Sequence, residues 1–563
     1  MHFFRPFRNI LPYLATAVVL AGSGFKGAFC FAQNFSDPAP ATSSTMATHA
    51  AAGRILNQTT FGPNVSDYSY VEQVGVAAYV NEQLAIAPYL MPAVIPAADY
   101  APADGDCAGW ACDPEAWWWH DVIFGRDQLR QRVAYALSKL FVVSYSEVDA
   151  RYFPYYLNVL SNDAFSNWYT LMQDVSTSGA MGTYLNSANS QALASGHDDE
   201  NFAREMMQLF SIGTVALNQD GSVKLDANGR SIPNYTSANV QAFARAFTGY
   251  TFANVDCSQP AVPQYYWWPQ PPGAGCAMQP LDQYHDADAK TLLRGQVLPA
   301  GQDTVTDFNA ALLNVFDDPS LPPFVCRRLI QNLVKSNPSP DYISRIAAVF
   351  IDNGSGVRGD MKSVISAILL DAEARADDVT TNADPNGGLL RDPVLWWTSI
   401  MRSLEATQGT NIPYDMEYKS RFDVSLTDLG ENPHTAPSVF SYYSPTYTIN
   451  NGALSAPEFQ IENSASLAWM VLHLQDALDD HFGLTSINEF ELDLSATSQL
   501  GVIAAQQGPN GLVSALNWLL LHGTMSDDMS SAIVGAVSGL DAATMVRNAV
   551  FLVVSSPQYR IIL

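Results

Sequence analysis

The sequence predicts a mainly α protein: one large multi-helix globular domain that carries a small β-hairpin insertion and long disulfide-tied loops. Three observations predict it. Apolar residues recur at helical spacing from about residue 50 onward. Asp220-Gly221 and Asn228-Gly229, both tight-turn dipeptides, punctuate short alternating segments. The stretch from Val255 to Asp288 has too many Pro and Gly for helix and contains Cys257 and Cys276.

The 563 residues open with Arg5 and Arg8 ahead of the apolar run ILPYLATAVVLAG, followed by small residues up to Ala32. That pattern reads as a secretory signal peptide over residues 1–32, because the run is shorter than the roughly 20 residues a bilayer requires. Residues 33–49, rich in Ser, Thr, Pro and Ala, have little to bury and are expected to be a disordered leader. The helical domain is expected over 50–563, as one lobe or two. Its helices are read from segments such as VEQVGVAAYVNEQLA, QLRQRVAYALSKLFVVS, NWYTLMQDVST, FAREMMQLFSIG, PPFVCRRLIQNLVKS and MKSVISAILLDAEAR. Within VALNQDGSVKLDANGRSIPNYT the oxygens of Asp220, Asp226 and Asn228 suit turn chemistry better than a calcium loop, because the terminal Glu of an EF-hand is missing. No later segment has the length and purity of a membrane span.

Removal of residues 1–32 takes away Arg5, Arg8 and Lys26 but no acid, so the formal charge moves from −27 to −30. Such a field repels nucleic acid. Export to the periplasm or the medium places the cysteines in an oxidising compartment. There, proximity pairs Cys107 with Cys112 and Cys257 with Cys276, and leaves Cys326 a buried thiol. No Cys or His spacing forms a zinc site, and no cofactor is named by the residues.

The chemistry concentrates in HDDENFAREMMQLFSIG, from His197 to Gly213. With Asp198 or Asp199 as N-cap, Phe202, Met206, Leu209 and Phe210 form the buried stripe. Glu200 then lies one turn before Arg204, and Asn201 one turn before Glu205. One reading is an ion-paired helix in a satisfied polar network; the other is an acid and base pair whose affinities for the proton are split by burial and by Arg204. A second cluster, YHDADAK, sets His285, Asp286, Asp288 and Lys290 close together on a loop, as a proton shuttle or metal ligand set would require. A third segment places His434 in ENPHTAPSVFSYYSPTY, but no G-x-S-x-G elbow, H-E-x-x-H or dinucleotide fingerprint occurs.

Taken in order, RILNQTTFGP, LRQRVAYALSKLFVVS, AMGTYLN, ENFAREMMQLFSIG, FARAFTGY, HDADAK, PPFVCRRLIQNLVKS and APSVFSYYSPTY resemble the bacterial exported family called domain of unknown function 1800 (DUF1800). The likeness spans roughly residues 50 to 563. It implies a large, exported, predominantly helical protein whose gene neighbours a sulfatase-like family, domain of unknown function 1501 (DUF1501). The family's helix motif falls on Glu200, Asn201, Arg204 and Glu205, and its loop motif on His285, Asp286 and Lys290. Asp198-Asp199 stands where relatives carry Pro-Asn, and FDDPSLPPF has Asp where they carry a His.

The function expected is a hydrolase or lyase acting on an extracellular or envelope polysaccharide. Glu200 or Glu205 with His285 and Asp286 would transfer protons, while Arg204 and Lys290 would bind an anionic group and Asn201 would assist. Trp267 and Trp268 would line the groove, since flat rings suit sugar faces. The alternative is a non-enzymatic scaffold or assembly partner of a DUF1501 protein. A further alternative is a metal or redox protein built on His285 and carboxylates.

Overall fold

The computed structural model describes residues 46–91, 112–192, 199–254, 256–261, 273–376, 378, 387–408, 426–478 and 490–562. The signal peptide, almost all of the leader, Cys107, Trp267 and Trp268, together with His197 and Asp198, lie outside the described residues.

Helices dominate, with side-chain caps at many of their starts. The first runs His49–Thr59, and Thr48 caps it by accepting the Ala51 N–H. Asn64 and Asp67 form a reciprocal capping box at the start of Val65–Val74. Ser339 and Asp392 cap Pro340–Ile351 and Pro393–Ser403, each followed by a Pro whose missing N–H costs nothing in a first turn. The long Gln499–Leu521 helix bends where Gly508 takes φ 68° just before Pro509.

These helices share one buried apolar cluster that extends from Ala52 to Ile562. Trp119, Trp168, Trp396 and Trp397 are among its largest fully buried side chains. Gln499–Leu521 packs on Ala542–Val554, and Leu321–Leu333 on Pro340–Ile351. No helix among the described residues is long and apolar enough to cross a membrane.

The expected hairpin insertion is a meander of isolated bridges, Val215 with Pro233, Leu217 with Val223 and Leu225 with Ser231. Gly221 and Gly229 take φ 75° and 76° at its two turns. Asp220 Oδ1 accepts the Ser222 N–H at 2.9 Å, and Asp226 Oδ1 accepts those of Asn228 and Arg230 at 2.8 and 2.9 Å. The acids thus make turns, as their spacing implied. Among the described residues five antiparallel ladders of two residues per strand also occur, including Tyr250–Thr251 with Gln279–Pro280 and Ile561–Ile562 with Leu389–Leu390. The Cys257–Cys276 disulfide closes the loop beside the first of these, with Cα atoms 5.6 Å apart. Cys326 is a buried free thiol.

Candidate functional site

The polar helix spans Asn201–Gln208, one residue later than a cap at Asp199 implies, because Glu200 occupies the cap position and makes no side-chain cap bond. Asp199 Oδ1 still accepts the Asn201 N–H at 2.8 Å. Phe202 and Met206 are buried as the periodicity required, and so is Phe210, while Leu209 is half-buried. Arg204 Nη2 meets Glu200 Oε2 at 2.6 Å, and both side chains reach solvent. Such an exposed i,i+4 pair adds only about 0.3–0.5 kcal/mol.

Glu205 is different. Its residue is 7% exposed, and its Oε2 is buried with no hydrogen-bond partner among the described residues. Burial raises its carboxyl above the usual glutamate range, and the Arg204 charge partly opposes that shift. Among the described residues neither Asn201 nor Arg204 hydrogen-bonds to its carboxyl, so Arg204 acts on Glu205 through its field.

The second cluster is a closed network. His285 Nδ1 bonds the Thr248 carbonyl at 2.9 Å, and its Nε2 lies 3.1 Å from Asp307 Oδ2. Lys290 Nζ lies 2.5 Å from that same oxygen, and its two other donors go to the carbonyls of Asp288, at 3.0 Å, and Asp286. An ammonium has three donors, and here all three are occupied. Asp286 accepts Arg245 Nε at 2.7 Å and Nη2 at 2.9 Å. Burial pushes its carboxyl upward, but Arg245, the Asp288 N–H and Lys290 outweigh that and lower it. The contacts to Thr248, Arg245 and Asp307 tie the 285–290 loop to neighbouring segments, while the two Lys290 bonds to carbonyls close the loop on itself.

Asp307 and Arg245 had not been singled out in the sequence. Asp307 did leave a signal: in TVTDFNAALLNVF it is an acid on the buried stripe that also carries Phe308, Ala311, Leu312 and Val315. An ionised group at such a position needs a partner.

The two clusters do not share a hydrogen bond or ion pair among the described residues. They abut through rings instead: Phe202 meets Phe247 at 5.1 Å between centroids, and Phe247 meets Phe308 at 5.5 Å. Glu205 and His285 are therefore joined by packing, and the proton path expected between them has no polar link.

A third cluster went unseen in the sequence. Lys139 Nζ lies 2.7 Å from Asp392 Oδ2, 2.9 Å from Glu431 Oε1 and 2.7 Å from the Tyr443 hydroxyl. Tyr135 donates its hydroxyl to Glu431 at 2.6 Å. Burial, reinforced by Asp392, pushes the Glu431 carboxyl to about 7 against the pull of Lys139. Burial alone is the main force that takes Glu458 to about 8. Beside this cluster a cavity offers about 20 Å³ to the centre of a water molecule, lined by Trp118, Asp121, Tyr135 and His434 among others. Burial, with the charge of Asp127, raises Asp121 to about 8, and burial lowers His434 to about 3, so both groups are neutral near pH 7.

Among the described residues, no group of three or more His, Cys, Asp and Glu is arranged to hold a metal ion. No curated protein and no solved structure matches the chain. A family model described as protein of unknown function (DUF1800) matches residues 54–561, and by that extent the chain belongs to the DUF1800 family.

Proposed function

We propose that the chain is an exported hydrolase or lyase, acting in the periplasm or outside the cell on an envelope or extracellular polysaccharide through carboxyl acid–base chemistry. Glu205 carries the reading: a buried carboxyl oxygen with no hydrogen-bond partner among the described residues, on a helix whose neighbouring Glu200 and Arg204 reach solvent. Because its proton is held to higher pH than in an exposed glutamate, it suits protonation of a leaving glycosidic oxygen. Arg204 offers charge to an acidic sugar, and Asn201 an amide to a hydroxyl. His285, Asp286 and Lys290, being fully engaged within the protein, serve as positioning residues that fix the segment packed behind Phe247.

The test uses the mature chain, produced through an oxidising compartment and offered a panel of neutral, uronate and sulfated polysaccharides. New reducing ends or unsaturated products are expected with the wild type. Glu205→Gln should lower the rate by about 100-fold or more at an unchanged melting temperature. A wild type inert on every polymer, or a variant as fast as the wild type, overturns the proposal.

A second reading has its own support. The Ser464–Leu478 helix presents Leu467, Trp469, Val471 and Leu472 to solvent at 43, 43, 39 and 48% exposure, an apolar surface spread around the helix that suits a protein partner. A scaffold for a DUF1501 protein would use it. Co-purification with that protein, lost in Trp469→Asp and without any polymer cleavage, supports this reading over the first.

A further inference from the structure

Arginines buried without a carboxylate usually satisfy themselves on backbone oxygens. Arg130 donates to the carbonyls of Ser161, Asn162 and Ile86 at 2.9, 3.3 and 3.0 Å. Arg358 donates twice to Phe316 O, at 3.1 and 2.9 Å, and to Asp318 O at 3.2 Å. Arg327 is half-buried and holds the meander by donating to Gly221 O at 2.8 Å.

Arg328 does none of this. It lies on the Leu321–Leu333 helix, half-buried, with its guanidinium carbon 5.2 Å from the centroid of Phe324. The one hydrogen bond of its guanidinium among the described residues is a long 3.4 Å contact from Nη1 to Gln331 Oε1. No carboxylate there pairs with it, although the protein carries a formal charge of −27. A guanidinium has five N–H donors in a planar fork, so most of this one's capacity is unused. Desolvation, with the like charge of Arg327, pulls it down to about 10.

The position matters as much as the vacancy of its donors. A Cβ added to Gly213 would come within 3.2 Å of the Phe324 ring, and the Gly213 N–H closes the end of the Glu205 helix on Met207 O at 3.0 Å. Phe324 is therefore the shared wall between the exit of that helix and the Arg328 fork.

We propose that Arg328 is the centre of an oxyanion-binding site, taking the carboxylate or sulfate group of an acidic polysaccharide. A fork seated on an aromatic face, with unpaired N–H donors, matches such a group in a bidentate manner. The inference leans on the polysaccharide reading only for the carrier of the oxyanion.

Equilibrium calorimetry at low ionic strength tests it, with inorganic sulfate, an oligogalacturonate and a sulfated oligosaccharide as probes. The full mature chain is expected to bind one of the oligosaccharides. Arg328→Gln should weaken that binding by about tenfold or more while its melting temperature holds, since no carboxylate among the described residues depends on its charge. Arg327→Gln, on the neighbouring side chain that is held to the meander through Gly221 O, should change affinity by less than about threefold. Binding is read without turnover, so a failure of the acid–base reading leaves this result standing. Equal affinity in Arg328→Gln, or no binding of any probe by the wild type, overturns the site. Sulfate binding as tight as that of both oligosaccharides overturns the polymer as its ligand.

Discussion

Lys290 Nζ and His285 Nε2 converge on one oxygen, Asp307 Oδ2, at 2.5 and 3.1 Å, with all three side chains buried. Removing one member of a buried ionic group leaves the others uncompensated, at about 3–5 kcal/mol. Asp307→Asn should therefore lower unfolding free energy in denaturant titrations by about 3 kcal/mol. Lys290→Met in the same background should cost much less than Lys290→Met alone. Additive losses in that double-mutant cycle would show the two groups to be energetically independent.

Stability should fall as pH rises from about 5 to 9. The folded-state values of Glu431, Glu458 and Asp121, about 7, 8 and 8, lie above those of an unfolded chain. A carboxyl raised in this way contributes stability below the usual carboxylate range and loses it as pH climbs through its folded value. Glu458→Gln should flatten the decline in melting temperature, an effect on the order of 5 kcal/mol at most. A profile of the same slope in the variant would remove Glu458 from the cause.

If Glu205 is the acid, the alkaline limb of kcat/KM should lie above the ordinary glutamate range. Arg204 opposes the upward shift, so Arg204→Gln should move that limb to higher pH. A pH–rate profile of the two proteins decides it, and a limb that does not move would separate Arg204 from Glu205.

The Cys257–Cys276 bridge closes a span of 19 residues. Replacing both cysteines with Ala should cost about 3 kcal/mol, read as a drop in denaturant midpoint. Trapping with a thiol reagent after reduction should give the same midpoint as the double variant.

What the sequence made legible was local. Glu200 and Arg204 sit four apart on one helix, and the pair formed as that spacing requires. Asp220-Gly221 and Asn228-Gly229 set their turns through φ values only Gly takes easily. Lys139, by contrast, draws Asp392 and Glu431 from hundreds of residues away, and no periodicity encodes such a meeting. The ladders of two residues per strand are too short to show alternation, so their pairing lies in tertiary packing. Glu205 and His285 each stood out by composition, yet what joins the Glu205 helix to the surroundings of His285 is the ring contact of Phe202 with Phe247, at the end of the Ser237–Ala246 helix. Whether two polar motifs face each other depends on what packs between them.

Among the five lysines in the described residues, Lys139, Lys290 and Lys335 hold their ammonium groups indoors on carboxylates, while Lys224 and Lys362 are exposed. Acylating reagents need a deprotonated, accessible amine, so the folded protein should label at the exposed pair and leave the three others intact. Delayed labelling of Lys139 and Lys290, followed peptide by peptide, then becomes a chemical clock for the opening of the interior around each of them.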